Sequence, residues 1–218
     1  MVTDPLFTYY FLKLVKKIDR VKSQTAYSDL QFLFLMARKG WGEGALVEIG
    51  SSEGKSAIAM ALGSKLSERE KVFCVDPHIE GTKDIFLKNL DMMALSDYVV
   101  PIFGFSEEAR KSFDKKIRMI FIDGDHRYEA VKKDILLWKD LLIDGGVMAF
   151  HDYNWEGVAR AVGELIRDTD EFMIEGTTGC TIFASKKITK NRKLFREVRI
   201  FNRTKDLVRP WKALEKQP

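Results

Sequence analysis

The 218-residue chain has only two cysteines and three histidines, and no apolar run reaches the roughly 18 residues that a bilayer span requires. Cys74 and Cys180 lie in apolar, strand-like runs and belong to no CxxC or Cys/His cluster, which argues against a disulfide framework and against structural zinc. The N-terminus, Met1 to Asp4 ahead of Pro5, lacks a basic region followed by an apolar stretch and a small-residue cleavage site, so a secretory signal is not expected. There are no internal repeats and no low-complexity segments. These absences predict a cytoplasmic protein without membrane spans.

What the chain does have suits one globular domain with a full core: 45% of residues are hydrophobic and 31% charged. The net charge of +4 hides an asymmetry. From Lys186 to Pro218 there are 12 Lys/Arg against 3 Asp/Glu, whereas residues 1–185 hold 24 against 29. A mildly acidic body carries a basic tail, and the tail suits an anionic partner such as a membrane surface, RNA or an acidic protein, or simply a solvated face.

Residues 6 to 39 read as helices. Leu6, Phe7, Tyr10, Leu14 and Ile18 recur at helical spacing, and Ser28 or Asp29 is placed to cap a second segment bearing Leu30, Phe32, Leu33, Leu35 and Met36. The aromatics Tyr9, Tyr10, Phe11, Tyr27, Phe32 and Phe34 are expected in the core or at a contact between copies of the chain. Beyond Gly40, Gly42 and Gly44 an apolar run, a Gly/Ser/Asp turn and an amphipathic stretch alternate repeatedly, as in βαβ units. Strands are predicted at Ala45–Ile49, Val72–Val75, Val99–Phe103, Arg118–Ile122, Val147–Phe150, Phe172–Ile174 and Thr181–Ala184. One helix is predicted after Gly54 and another over Arg127–Leu142, with Val131, Ile135, Trp138 and Leu142 on its stripe. The short link Glu175–Cys180 predicts that the last two strands pair antiparallel. The expected fold is α/β: a Rossmann-like three-layer sandwich on a seven-stranded, mostly parallel sheet. It spans residues 45–187, between an N-terminal helical cover (1–44) and a basic extension (188–218).

In such a sheet, ligands bind beyond the carboxyl ends of the strands. The residues there are Gly50-Ser51-Ser52-Glu53-Gly54-Lys55-Ser56, Asp76-Pro77-His78, Gly104-Phe105-Ser106, Asp123-Gly124-Asp125-His126 and His151-Asp152-Tyr153. All three histidines fall in this set. The first loop can turn tightly and present backbone N–H groups, with Ser51, Ser52 and Ser56 as further donors. Gly54-Lys55-Ser56 invites a phosphate-loop reading and a nucleotide hydrolase, but three residues between the glycines are one too few to wrap a β-phosphate. Asp76 stands at the second strand end, where a carboxylate accepts bonds from ribose hydroxyls. The absence of G-x-G-x-x-G favours a nucleoside cofactor without a pyrophosphate.

Leu46–Ser56, Val75-Asp76-Pro77, Phe121–Val131 (F-I-D-G-D-H-R-Y-E-A-V) and Gly145–Asp152 together resemble class I S-adenosylmethionine-dependent methyltransferases, and among them methyltransferase family 24, which includes macrolide-sugar O-methyltransferases. The resemblance implies S-adenosylmethionine as cofactor and a small-molecule or sugar hydroxyl as acceptor. It implies that Glu48 and the turn Gly50, Ser51, Ser52 and Gly54 hold the methionine end, with Ser56 at its carboxylate. Asp76 then takes the ribose, Ser106 or a nearby backbone group takes adenine, and Asp123 also borders the cofactor. It further implies a divalent cation at Asp123, His151 and Asp152, the histidine being a departure from the oxygen ligands a hard cation prefers. Candidate bases are His126, His151 and Asp125, with His126 favoured because a helix start keeps its ring neutral. The competing readings are a structural role for these histidines, and a non-catalytic binding protein acting through its tail.

Overall fold

A computed structural model describes residues 18–187. Most of the first predicted helix, with Tyr9, Tyr10 and Phe11, and the basic tail lie outside the described residues. No described helix is long and apolar enough to cross a membrane.

Seven strands form one sheet: β1 (Ala45–Ile49), β2 (Val72–Asp76), β3 (Val99–Phe103), β4 (Ile117–Ile122), β5 (Leu142–Phe150), β6 (Phe172–Thr178) and β7 (Thr181–Lys186). Their order is β3-β2-β1-β4-β5-β7-β6. The first five run parallel, β7 pairs antiparallel with both β5 and β6, and the expected architecture is thereby observed. Strand order reverses between β1 and β4, and the loops following these two strands diverge to opposite faces, leaving a crevice. β5 starts five residues earlier than predicted, because Gly145 turns with φ +75° and lets Leu142 pair with Ile117 before a bulge brings Val147 to Met119.

Helices cover both faces: α1 (Tyr27–Lys39), α2 (Lys55–Lys65) and α3 (Lys83–Met92) on one, α4 (Ser106–Ser112), α5 (Tyr128–Trp138) and α6 (Glu156–Val162) on the other. Each face has its own core, around Phe34, Ile58 and Phe86 in the first case and Ile135, Trp138 and Phe150 in the second. α5 ends four residues before the predicted limit in a 3₁₀ turn, Lys139–Leu141. Phe32 and Phe34 are buried in the core, as expected. The predicted cap is not: α1 starts at Tyr27 after Ala26, and neither Ser28 nor Asp29 caps it. Asp29 is instead turned inward and fully buried.

The other end of α1 is closed by Arg118, one of the largest fully buried side chains. Its Nη1 donates to Met36 O at 2.8 Å, its Nη2 to Ala37 O at 2.5 Å and its Nε to Glu70 Oε2 at 2.9 Å. Burial draws the guanidinium down to about 10, against the pull of Glu70. Three directed bonds onto two carbonyls of the last helical turn and one carboxylate compensate that desolvation and pin α1 to the first residues of β4.

Candidate functional site

The loop after β1 owes its shape to two glycines. Gly50 has φ +86°, and a Cβ there would sit 2.2 Å from Asp123 O; Gly54 has φ +92°, and its Cβ would meet the Phe86 ring at 2.9 Å. The loop is then tied to the second strand end, since Asp76 Oδ2 accepts the N–H groups of Ser51 and Ser52, both at 2.8 Å, while Oδ1 accepts His78 N at 2.6 Å. Asp76 thus organises the loop as well as facing the cleft, and its oxygens retain lone pairs for further donors. Lys55, the residue behind the phosphate-loop reading, sends its ammonium over the Tyr27 ring instead, 5.8 Å from the centroid.

Beneath the loop lies Glu48, fully buried. Burial raises its carboxyl to about 7, against the lowering influence of Ser56, Ser51 and Cys74. Cys74 Sγ donates to Oε2 at 3.4 Å, whereas Oε1 has no aligned partner. The same burial, with Glu48 beside it, drives the Cys74 thiol upward, so it is no nucleophile. Cys180, assigned to a strand by its neighbours in sequence, is exposed in the β6–β7 turn.

Two clefts flank the loop. The first, about 710 Å³, runs from Asp76 and His78 past Gly104, Phe105 and Ser106 to Asp134. The second, about 520 Å³, is bounded by Lys22–Thr25 ahead of α1, by Gly50–Ser56, and by His151 and Asp152. Gly50, Ser52, Asp123 and His126 line both, so the clefts meet at the ends of β1 and β4.

At that junction stand Asp123, His126 and Asp152. His126 Nε2 is 2.9 Å from Asp152 Oδ2 and 3.9 Å from Asp123 Oδ1. The nearer contact is poorly directed, and Nε2 makes no aligned hydrogen bond. His126 precedes α5 by two residues rather than starting it, and two carboxylates stand beside its ring. Its ring lies 5.1 Å from that of Trp155, which is more than half exposed. One donor atom from each of Asp123, His126 and Asp152 falls within 4.8 Å of the others, a grouping suited to a divalent cation. Of the expected ligands this grouping contains Asp123 and Asp152, joined by His126; His151 is not part of it.

His151 lies behind this group, 3% exposed, with Nδ1 3.1 Å from both Asp123 Oδ1 and Asp152 Oδ2 and Nε2 3.7 Å from Asp29 Oδ2. Burial opposes the charged ring, but Asp123, Asp29 and Asp152 outweigh it and push it up to about 11. The ring is thus enclosed by three carboxylates where it borders the second cleft. Burial likewise raises the Asp123 carboxyl, with His151 pulling the other way.

Asp125, another expected base, is paired with its neighbour. Arg127 holds it through Nε at 2.8 Å and through its backbone N–H at 2.9 Å, and this keeps the exposed carboxyl below its usual range. Ser106 lines the first cleft as expected, but its Oγ already accepts Trp138 Nε1–H at 2.8 Å. Sequence reasoning missed Asp29, Asp134 and Trp155. Asp29 is brought in by α1 from about 120 positions upstream, and Thr178 Oγ1, donating to Ser28 O at 3.2 Å, fastens that helix start to β6. The signal for Asp134 was visible, since it interrupts the apolar stripe of α5.

Residues 47–153 match a family model described as a methyltransferase domain. An uncharacterized protein of Acanthamoeba polyphaga mimivirus is 28% identical over 134 residues, which make up 56% of this chain and 59% of that protein; the matched part thus spans less than two thirds of the relative. Among solved structures, a putative O-methyltransferase from Klebsiella pneumoniae is similar with a TM-score of 0.66 at 14% identity, over 82% of this chain and 90% of that one. A methyltransferase of Podospora anserina bound to S-adenosylhomocysteine (SAH) gives 0.67 at 14%, over 85% and 96%. An O-methyltransferase from Bacillus cereus in complex with SAH gives 0.62 at 19%, over 86% and 93%. At such identities the likeness establishes the fold.

Proposed function

We propose that the chain is a class I methyltransferase that transfers the methyl group of S-adenosylmethionine to a hydroxyl of a small-molecule or sugar acceptor, a reading supported by the match of residues 47–153 to a methyltransferase-domain model. The observation that carries this reading is the meeting of two clefts at one cluster of ionisable groups. The first cleft suits the adenosine, with Asp76 at the ribose, and the second suits the methionine end and the acceptor, with Ser51 and Ser56 at the amino-acid head. The sulfonium methyl then lies beside Asp123 and His126.

Transfer is an in-line displacement: the acceptor oxygen forms the new C–O bond as the S–CH₃ bond breaks, and SAH leaves with the electron pair. The sulfonium is a good leaving group, so the protein must align the reactants and take up the hydroxyl proton. His126 Nε2, buried but without an aligned partner, receives that proton, and Asp152 at 2.9 Å stabilises the imidazolium that results. The His151 cation keeps Asp123 and Asp152 together, and Asp29 supports it from behind.

The donor set of Asp123, Asp152 and His126 also fits a divalent cation, which would polarise the acceptor oxygen and lower its pKa. An imidazole among the donors favours a softer ion than magnesium. Chelator treatment separates the two arrangements: full turnover in excess chelator leaves His126 as the base, and loss of turnover with SAH binding intact makes it a ligand.

The cofactor assignment is tested by calorimetry with SAH. Asp76→Ala should weaken binding tenfold to a hundredfold, on the order of 1.4 to 2.8 kcal/mol, through loss of the hydroxyl bonds and of the loop geometry. Unchanged affinity would remove Asp76 from the cofactor site.

A further inference from the structure

The buried face of α5 consists of Val131, Asp134, Ile135 and Trp138, the i, i+3, i+4, i+7 pattern of an amphipathic helix with a carboxylate where an apolar residue belongs. Asp134 is 7% exposed and forms part of the wall of the first cleft. A carboxylate at such a position costs free energy unless directed donors meet it. The Ser106 hydroxyl favours its charged form; Glu107 and Asp125 oppose that charge, and Lys133, whose ammonium pairs with Glu107 at 2.5 Å, offsets them in part.

The Ser106 hydroxyl is itself held. Its oxygen accepts Trp138 Nε1–H at 2.8 Å, which leaves its single hydrogen for Asp134. Trp138 is fully buried, so the relay from indole to hydroxyl to carboxylate is fixed by the core and orients Asp134 without saturating it. Ile79, 79% exposed, and Phe105, 51% exposed, stand on the same cleft and offer apolar surfaces to a flat ring.

We propose that Asp134 is the residue that selects the nucleobase, accepting a hydrogen bond from the exocyclic amino group of adenine, while Ser106 and Trp138 position it. The inference rests on the cofactor reading above and deepens it. It displaces Ser106 from direct base recognition to a supporting place. It also accounts for a buried acid in an otherwise apolar helix face: the ligand supplies the missing donor. A base with an oxo group in place of the amino group would set two acceptors against one another in a site largely withdrawn from water.

The test compares SAH with S-inosylhomocysteine, which carries an oxo group in place of the amino group and a hydrogen on N1, on the full chain by calorimetry. Wild type should bind SAH at least about tenfold more tightly, since a buried acceptor left facing an acceptor loses a charge-assisted bond. Asp134→Ala should bring the ratio of the two affinities close to one, mainly by loss on SAH. Asp134→Asn keeps the shape and presents both a donor and an acceptor, and should bind the inosine analogue more tightly than wild type does. Ser106→Ala should reduce the ratio less than Asp134→Ala. A wild type that does not discriminate, or an Asp134→Ala protein that weakens both ligands equally, would overturn the assignment and leave Asp134 a packing residue. If the wild type binds neither compound, the methyl-donor reading itself fails.

Discussion

The two ends of β4 each carry a buried charge, and they are treated in opposite ways. At the start of the strand, Arg118 makes three directed bonds, to Met36 O, Ala37 O and Glu70, one from each of its nitrogens. Just past the end, Asp123 meets His126 and His151 at 3.9 and 3.1 Å in contacts that leave ring nitrogens of both without aligned partners. Asp29 Oδ1, Glu48 Oε1, Ser51 Oγ and Thr181 Oγ1 are buried around the same end in the same condition. Native proteins satisfy nearly all buried polar groups, so a concentration of unmet ones marks where something else is meant to bind. On the reading proposed above, the end with Arg118 serves stability and the end with Asp123 serves chemistry.

The largest effect that would sharpen this contrast is on turnover. His126→Ala should lower kcat by roughly 10² to 10⁴ while leaving SAH affinity nearly unchanged, because a base acts on the acceptor and not on the nucleoside. If His126→Ala keeps wild-type turnover, the unmet nitrogen at that end has no part in the reaction. At the opposite end, Arg118→Met should cost about 3–5 kcal/mol in urea unfolding, through loss of the α1 cap and abandonment of Glu70. SAH binding by the folded fraction should persist. A stable Arg118→Met protein that loses SAH binding would reverse the assignment of the two ends.

Glu48 gives a smaller effect, read through pH. Its carboxyl titrates near 4.5 in the unfolded chain and is pushed to about 7 by burial in the folded one. Between these values the folded protein holds a proton that the unfolded chain has released, so stability is highest below the lower value and falls as pH rises to the upper one. The loss should approach about 3 kcal/mol, and Glu48→Gln should flatten that part of the stability profile and be the more stable protein at pH 8. Parallel profiles for the two proteins would mean that Glu48 is ionised throughout.

The sheet was legible because period-2 apolar runs and Gly/Asp turns are local: β1 and β3 have the predicted limits, and β5 and β6 exceed them only where glycines permit bulges. The strand-end groups were legible for the same reason, since topology alone brings Gly50, Asp76 and Asp123 to one edge. What could not be read was partnership across distance. Nothing near Asp29 in sequence announces that α1 turns it toward His151, and nothing near His151 announces three carboxylates. That His126, and not His151, joins Asp123 and Asp152 in one grouping is a consequence of that missing information. The pairing of Asp125 has a nearer cause, a neighbouring arginine two positions on that folds back upon it.

The most direct test of the division between the ends is an amide chemical-shift map of ¹⁵N-labelled protein titrated with SAH. The account predicts shifts at Gly50–Ser56, Asp76–His78, Gly104–Ser106 and Asp123–His126, with Gly40–Gly44 and Lys116–Arg118 silent. No saturable shifts, or shifts centred on the residues around Arg118, would contradict it.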